Sequence, residues 1–322
     1  MQIKTAIIGL GIMGRRMLEH MQLHPNFSVA AIWDIDSSAS RAAQEIAPTA
    51  WPAASAKDAM TAADLVYLAC PPIPRTAHTL EAAAKGKAVF IEKPLGIDIE
   101  QSRDLVKQLI LFNVPAAVNF TQAAGFALTD ITAAMHAGEL GQLMGIDIFV
   151  SYENWPRAWQ QSADWLRFRE EGGMTREVIS HFLFLSERIL GPLTLVWAET
   201  EYPEYNSLCE THVAARLVNT SGLAVNLIGS VGGAQPDRQE VTIKGSKSSR
   251  RILDFYHDSI SFGADFVPVR ESPEDPRAVS LKAQLDDLVH MMAGNPNRLA
   301  TLQEALRVQY LIESILARGQ KI

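Results

Sequence analysis

The sequence predicts an α/β protein, with a doubly wound parallel sheet in its N-terminal part and an α+β domain carrying a large, mostly antiparallel open sheet after it. Three observations carry this expectation. Up to about residue 121, short and nearly all-apolar runs alternate with helical stretches. A glycine turn, Gly9-Leu10-Gly11-Ile12-Met13-Gly14, comes at once after the first of those runs. Beyond residue 121, strand-like runs follow one another with turn residues between them. Strands that are apolar all round need cover on both faces, which parallel crossover units provide. The expected domains are therefore 1–121 and 122–322.

In the first domain, strands are expected at 5–9, 29–33, 65–69, 88–91 and 116–120. Between them, 13–20, 38–46, 76–85 and 101–111 place apolar residues three and four apart, the period of a helix with one buried face. In the second domain, a helix at 129–136 stops at Gly138-Glu139-Leu140-Gly141, a C-terminal cap. Strands follow at 144–152, 193–201, 211–218, 224–231, 240–244 and 251–256, many joined by turn formers such as Asn219-Thr220-Ser221-Gly222. A helix at 176–190 packs on this sheet, 271–276 forms an exposed loop, and a strongly helical segment at 303–317 packs back onto the fold.

Composition narrows the function classes. The 322 residues are 48% hydrophobic and 20% charged, ordinary for a soluble protein. A net charge of −7 gives no electrostatic footprint for nucleic acid or an anionic membrane. No apolar run reaches the roughly 20 residues of a membrane span. Cys70 and Cys209 stand far apart and outside any CxxC pair, so neither a disulfide framework nor a metal site is expected. A cytoplasmic protein is the expectation.

The glycine turn has the context of a dinucleotide site. It follows a strand and opens a helix, so Gly9 permits the tight turn, Gly11 lets the backbone approach a pyrophosphate, and Gly14 lets helix and strand pack closely. Ile12 and Met13 then lie in the first helical turn, whose free N–H groups and dipole favour phosphate. An acidic residue is due about 20 residues further on, and Asp34 stands there. A carboxylate accepts from a free ribose hydroxyl and repels a 2′-phosphate, so NAD is expected before NADP. Asp36 is the lesser candidate and a plausible helix cap.

Two further signals carry titratable groups. Glu92-Lys93-Pro94 follows the strand at 88–91. Ligands of open α/β sheets bind beyond the carboxyl ends of the strands, so Lys93 is a candidate site residue, and Pro94 holds it extended. Later, Gly172-Gly173 precedes Arg176-Glu177-Val178-Ile179-Ser180-His181, and residues four apart on a helix share a face. Glu177 is thus placed to orient His181, although the pair also fits a purely structural role.

Together these residues resemble the glucose–fructose oxidoreductase / inositol dehydrogenase / MocA family over nearly the whole chain. The resemblance rests on the glycine turn, Cys70-Pro71-Pro72, Gly86-Lys87 followed by Glu92-Lys93-Pro94, Gly138-Glu139-Leu140-Gly141, the double glycine before a histidine-bearing helix, and the helix around 304–314. It implies a Rossmann domain, NAD(P)-dependent chemistry on sugars, cyclitols and related polyols, and a homodimer or homotetramer formed through the C-terminal sheet. It also implies Lys93 and His181 as catalytic residues with Glu177 beside them, and Pro71, Glu92 and Lys93 among the cofactor contacts. The chain departs from the family pattern at three places. Glu177 replaces an aspartate of many members. Arg75 stands where many have the histidine of a TPNxxH motif, with His78 displaced by three. Asn119-Phe120-Thr121-Gln122 replaces an arginine and a proline.

The chemistry so implied is hydride transfer at a secondary carbinol, in which the hydroxyl proton must leave as the hydride does. A lysine serves as that base only where burial or a nearby positive charge favours the neutral amine. Either Lys93 or His181 can hold the proton. Asn119, Asn154, Trp155, Arg157, Trp165 and Arg176 are candidate substrate contacts: aromatic faces pack on sugar rings, and arginines hold carboxylates or phosphates. Two alternatives stay open: a reductase of another unsaturated acceptor (enone, imine or tetrapyrrole), and a non-catalytic NAD(P)-binding regulator.

Overall fold

The computed structural model describes residues 2–204 and 207–321. The chain forms two compact units: up to Phe120 with Leu281–Leu306, and Thr121–Ser280 with the chain from Arg307 onward. The first alternates β1 (Ile3–Ile8), α1 (Ile12–Leu23), β2 (Phe27–Trp33), α2 (Ser37–Ile46), β3 (Trp51–Pro52), α3 (Ala56–Thr61), β4 (Leu65–Leu68), α4 (Pro72–Ala84), β5 (Ala88–Glu92), α5 (Ile99–Phe112) and β6 (Ala116–Asn119). Then come α6 (Phe126–His136), β7 (Leu143–Tyr152), α7 (Ser180–Leu190), β8 (Leu193–Tyr202), β9 (His212–Asn219), β10 (Ala224–Val231), β11 (Arg238–Gly245), β12 (Ser249–Leu253), β13 (His257–Ser261) and β14 (Val267–Pro268). The chain closes with α8 (Pro276–Met292), α9 (Leu302–Leu316) and β15 (Gly319–Lys321).

The first sheet has the order β3-β2-β1-β4-β5-β6, with every pairing parallel. The chain starts in the middle and winds outward in both directions, so the carboxyl ends of β1 and β4 diverge into a crevice. β4 and β5 are buried along their whole length, which is why they read as apolar runs without alternation. The core joins Ile7, Met17, Leu18, Met21, Val29, Ile32 and Phe90 with Leu281, Leu285, Leu288 and Met291 of α8. The sequence reading ended this unit at residue 121; the structure returns Leu281–Leu306 to it. The physical reason is the apolar stripe of α8, which completes that core.

The second sheet has the order β14-β13-β12-β11-β7-β10-β9-β8-β15. It is antiparallel except for β7 with β10 and β8 with β15. Its strands alternate: Val225 and Leu227 of β10 are buried while Ile228 is exposed, and β9 buries Val213, Ala215 and Leu217. Gly229 supplies the room on the buried face, where a side chain would meet Val213, Ile179 and Met174. The exposed loop expected at 271–276 is exposed through Asp275. The helix expected at 176–190 opens differently. Thr175–Ile179 is a π-helical turn in which the Ser180 N–H reaches Thr175 O, and regular α-helix starts at Ser180.

Candidate active site

In the first unit, Gly9 takes φ +94°, and a Cβ there would clash with the Cys70 backbone. A Cβ on Gly14 would strike Gly9 O, so the first turn of α1 lies against the end of β1. Gly11 is the opposite case, because nothing lies within 4 Å of where its Cβ would be. As N-cap of α1, Gly11 makes no side-chain capping bond, leaving the amides of that turn, at Ile12 and Met13, without one. The turn thus presents an open backbone cradle with the positive end of a 12-residue helix behind it, which fits a dinucleotide pyrophosphate.

Asp34 follows the end of β2 beside that turn. Its Oδ2 accepts from Leu10 N at 2.6 Å and its Oδ1 from Asp36 N at 2.8 Å. Two amides therefore fix the carboxylate beside the cradle. Asp36 caps α2 instead, accepting from Ser38 N at 2.8 Å. Pro71 is the N-cap residue of α4. His78 meets the edge of Trp33 at 5.6 Å between ring centroids, and burial pulls its pKa below the usual value.

The turn after β5 is held from inside. Lys93 is buried, and the Lys93–Pro94 peptide bond is cis. Arg75 is buried beneath it and donates to three backbone carbonyls: Cys70 O from Nε at 2.9 Å and Nη2 at 2.6 Å, and Glu92 O and Pro94 O from Nη1, each at 2.6 Å. One guanidinium so ties the turn after β4 to the turn that carries Lys93. The Glu92 carboxyl accepts from the Tyr67 hydroxyl and from Asn119 Nδ2 at 2.7 Å. Gln284 of α8 donates to Asn119 Oδ1 at 2.7 Å and to Phe120 O at 3.0 Å. Burial raises the Glu92 pKa, opposed by the neighbouring Lys93 charge, the Tyr67 hydrogen bond and the Arg75 charge. Asn119, expected as a substrate contact, is therefore engaged with Glu92 and Gln284. Tyr67 and Gln284 had no sequence signal, since they reach Glu92 and Asn119 across 25 and 165 residues.

In the second unit, His181 is buried on α7, with the edge of its ring system against Phe255 at 5.3 Å. Phe255 stacks on Phe182 at 5.0 Å. Asp254 and Phe255 have φ +49° and +68°, a left-handed pair that non-glycine residues rarely adopt. Glu177 accepts from Gln160 Nε2 at 3.1 Å. The predicted substrate residues separate here. Arg157 is buried against the rings of Tyr152, Trp155 and Trp159. Trp155 donates from Nε1 to Leu166 O at 2.9 Å, Trp165 is half-buried, and Asn154 is exposed. Arg176 is fully committed within its unit: its guanidinium grips both Glu313 oxygens at 2.8 Å and donates to Arg169 O and Gly172 O.

Residues 3–120 match the model of an oxidoreductase family with an NAD-binding Rossmann fold. The matched stretch lies within the first compact unit. An uncharacterized oxidoreductase of Streptococcus pneumoniae is 26% identical over 177 residues, covering 53% of this chain and 46% of the relative. The scyllo-inositol 2-dehydrogenase (NAD(+)) of Bacillus subtilis is 25% identical over 146 residues, covering 44% of this chain and 42% of the relative. The chain thus spans under half the length of these two curated relatives. Among solved structures, the WlbA dehydrogenase from Bordetella pertussis, in complex with NADH and UDP-GlcNAcA, shares the fold. It superposes with a TM-score of 0.82 at 21% identity, covering 99% of this chain and 96% of that one.

Proposed function

We propose that this chain is a member of the oxidoreductase family that its first 120 residues match, an NAD-dependent oxidoreductase acting between the secondary alcohol and the carbonyl of a sugar, cyclitol or related polyol. The observation that carries the reading is a buried lysine at the carboxyl end of β5, in the same sheet whose first turn forms an open phosphate cradle. A bound nicotinamide would supply the hydride acceptor or donor. The chain's own residues do the rest. Gly11 and the amides of α1 hold the pyrophosphate, Asp34 accepts from the ribose hydroxyls, and Pro71 and Glu92 border the cofactor. Lys93 takes the hydroxyl proton during oxidation and returns it during reduction, with His181 as the second acid–base group and Glu177 orienting it. The assignment of Lys93 and His181 to one reaction rests on the motif pattern. The relatives named as dehydrogenases support an alcohol substrate.

The reading assigns cofactor binding to the first unit, up to Phe120 with Leu281–Leu306, and substrate binding to the second. It includes a homodimer or homotetramer, supported by Val196, Trp197 and Ile228, which stand exposed on the second sheet. It also includes a cytoplasmic location, supported by two free, buried cysteines. No helix among the described residues is long and apolar enough to cross a membrane.

The test is NADH formation across a panel of aldoses, cyclitols, sugar acids and sugar phosphates, with NAD and NADP in parallel. Turnover with NAD on one class supports the reading. Calorimetric NAD binding without turnover in either direction favours a reductase of another acceptor or a regulator. Asp34→Ala is expected to weaken NAD binding by roughly 10- to 100-fold, as loss of a charged hydrogen-bond acceptor does, and to narrow the gap between NAD and NADP. Calorimetry with both cofactors reads this directly.

A further inference from the structure

We propose that the substrate carries an anionic oxyacid group, a carboxylate or a phosphate, and that Arg157 is the residue that binds it. This rests on the reading of the second unit as the substrate-binding part. Four arginines are buried among the described residues: Arg75, Arg157, Arg176 and Arg250. Three of them are filled. Arg75 donates to three carbonyls, Arg176 grips Glu313 and two carbonyls, and Arg250 pairs with both oxygens of Asp258.

Arg157 is different. Its Nε donates to Gln160 Oε1 at 2.7 Å, and among the described residues its two terminal amino groups have no hydrogen-bond acceptor. No carboxylate of the described residues lies within ion-pair distance of it, although it is only 8% exposed. A buried cation is costly unless paired, and a guanidinium with an empty fork matches the two oxygens of a carboxylate or phosphate. Its surroundings stiffen that fork. Tyr152, Trp155 and Trp159 place their ring centroids 5.2, 5.7 and 4.7 Å from Cζ. Gln160, which holds Nε, is itself tied to Glu177 at 3.1 Å. The Tyr152 hydroxyl is a buried polar group with no partner among the described residues, and its ring lies against the same guanidinium. Glu177, Asp237 and Asp254 act electrostatically on Tyr152, and the Arg157 charge opposes them there. Arg176, the other arginine expected to meet substrate, is spent on Glu313, so the anion site falls to Arg157.

The flanking Trp155 and Trp159 make the test independent of turnover. Tryptophan fluorescence is titrated with glucose, glucuronate and glucose 6-phosphate, with NAD present, for the wild type, Arg157→Lys and Arg157→Gln. The wild type is expected to bind one charged ligand roughly 10- to 100-fold more tightly than glucose. Arg157→Gln should lose that preference and Arg157→Lys should keep part of it, with thermal melts showing all three folded. Preference for glucuronate identifies a carboxylate, and preference for glucose 6-phosphate a phosphate. Equal binding of neutral and charged sugars, or a preference that survives in Arg157→Gln, overturns the proposal. The two readings fail separately. An Arg157-dependent preference without NADH formation leaves the anion site standing and removes the dehydrogenase. NADH formation at full rate by Arg157→Gln does the reverse.

Discussion

Lys93→Met is expected to lower turnover by about 10²- to 10⁴-fold, the usual worth of a positioned general base, with NAD affinity nearly unchanged. The side chain is buried at the end of a strand whose neighbours are fixed, so its loss removes a proton acceptor without opening the sheet. One consequence has to be separated from the catalytic one. The Lys93 charge acts against burial on the Glu92 carboxyl, so methionine also pushes Glu92 toward its neutral form. Lys93→Arg separates the two effects. Arginine keeps a positive charge near Glu92 but cannot give up its proton in the working range. If the proton matters, Lys93→Arg is as slow as Lys93→Met in steady-state assays. If only the charge matters, Lys93→Arg recovers most of the rate. His181→Ala is expected to slow turnover strongly as well.

Arg75→Met carries the second large effect. It strands three carbonyls, at Cys70, Glu92 and Pro94, that one guanidinium now satisfies. Removing a charged partner from buried acceptors costs about 3–5 kcal/mol, so the variant should melt far below the wild type. Arg75→Lys folds better because it retains the charge, but an ammonium cannot reproduce the planar fork that bridges the turns after β4 and β5. In that variant kcat should fall further than NAD affinity, and the pH profile of kcat should shift, because the backbone carrying Lys93 is less firmly held. A purely structural arginine would lower the melting temperature and leave the pH profile alone. A shifted pH profile marks Arg75 as a positioning residue.

What the sequence made legible follows from range. The parallel sheet was readable because its strands are apolar throughout and its glycine turn is local, with Gly9, Gly14 and Asp34 each acting within one crossover unit. The alternation of β9 and β10 gave the second sheet in the same way. α8 was missed although Leu281, Leu285 and Leu288 mark a helical stripe, because the polar residues between them and the preceding exposed loop broke the pattern. The π-helical turn at Thr175–Ile179 has no local signature, and the step from Glu177 to His181 was read as ordinary helix. At the candidate site, Lys93 was visible by motif, whereas the buried layer of Tyr67, Glu92, Asn119 and Gln284 was not, since its contacts join residues distant in sequence. Arg75 stood out only as a departure from a family pattern. Its function needed the three carbonyls to be seen.

The central claim is that Lys93 serves a direct hydride transfer to NAD from a secondary alcohol. It is tested most directly by incubating the enzyme with NAD and the best polyol of the panel, deuterated at the carbinol carbon, and reading the cofactor by mass spectrometry. The account predicts deuterium at nicotinamide C4 with the wild type and almost none with Lys93→Met at equal NAD occupancy. Bound NAD that acquires no deuterium from any polyol, or a Lys93→Met variant that labels it as fast as the wild type, would contradict it.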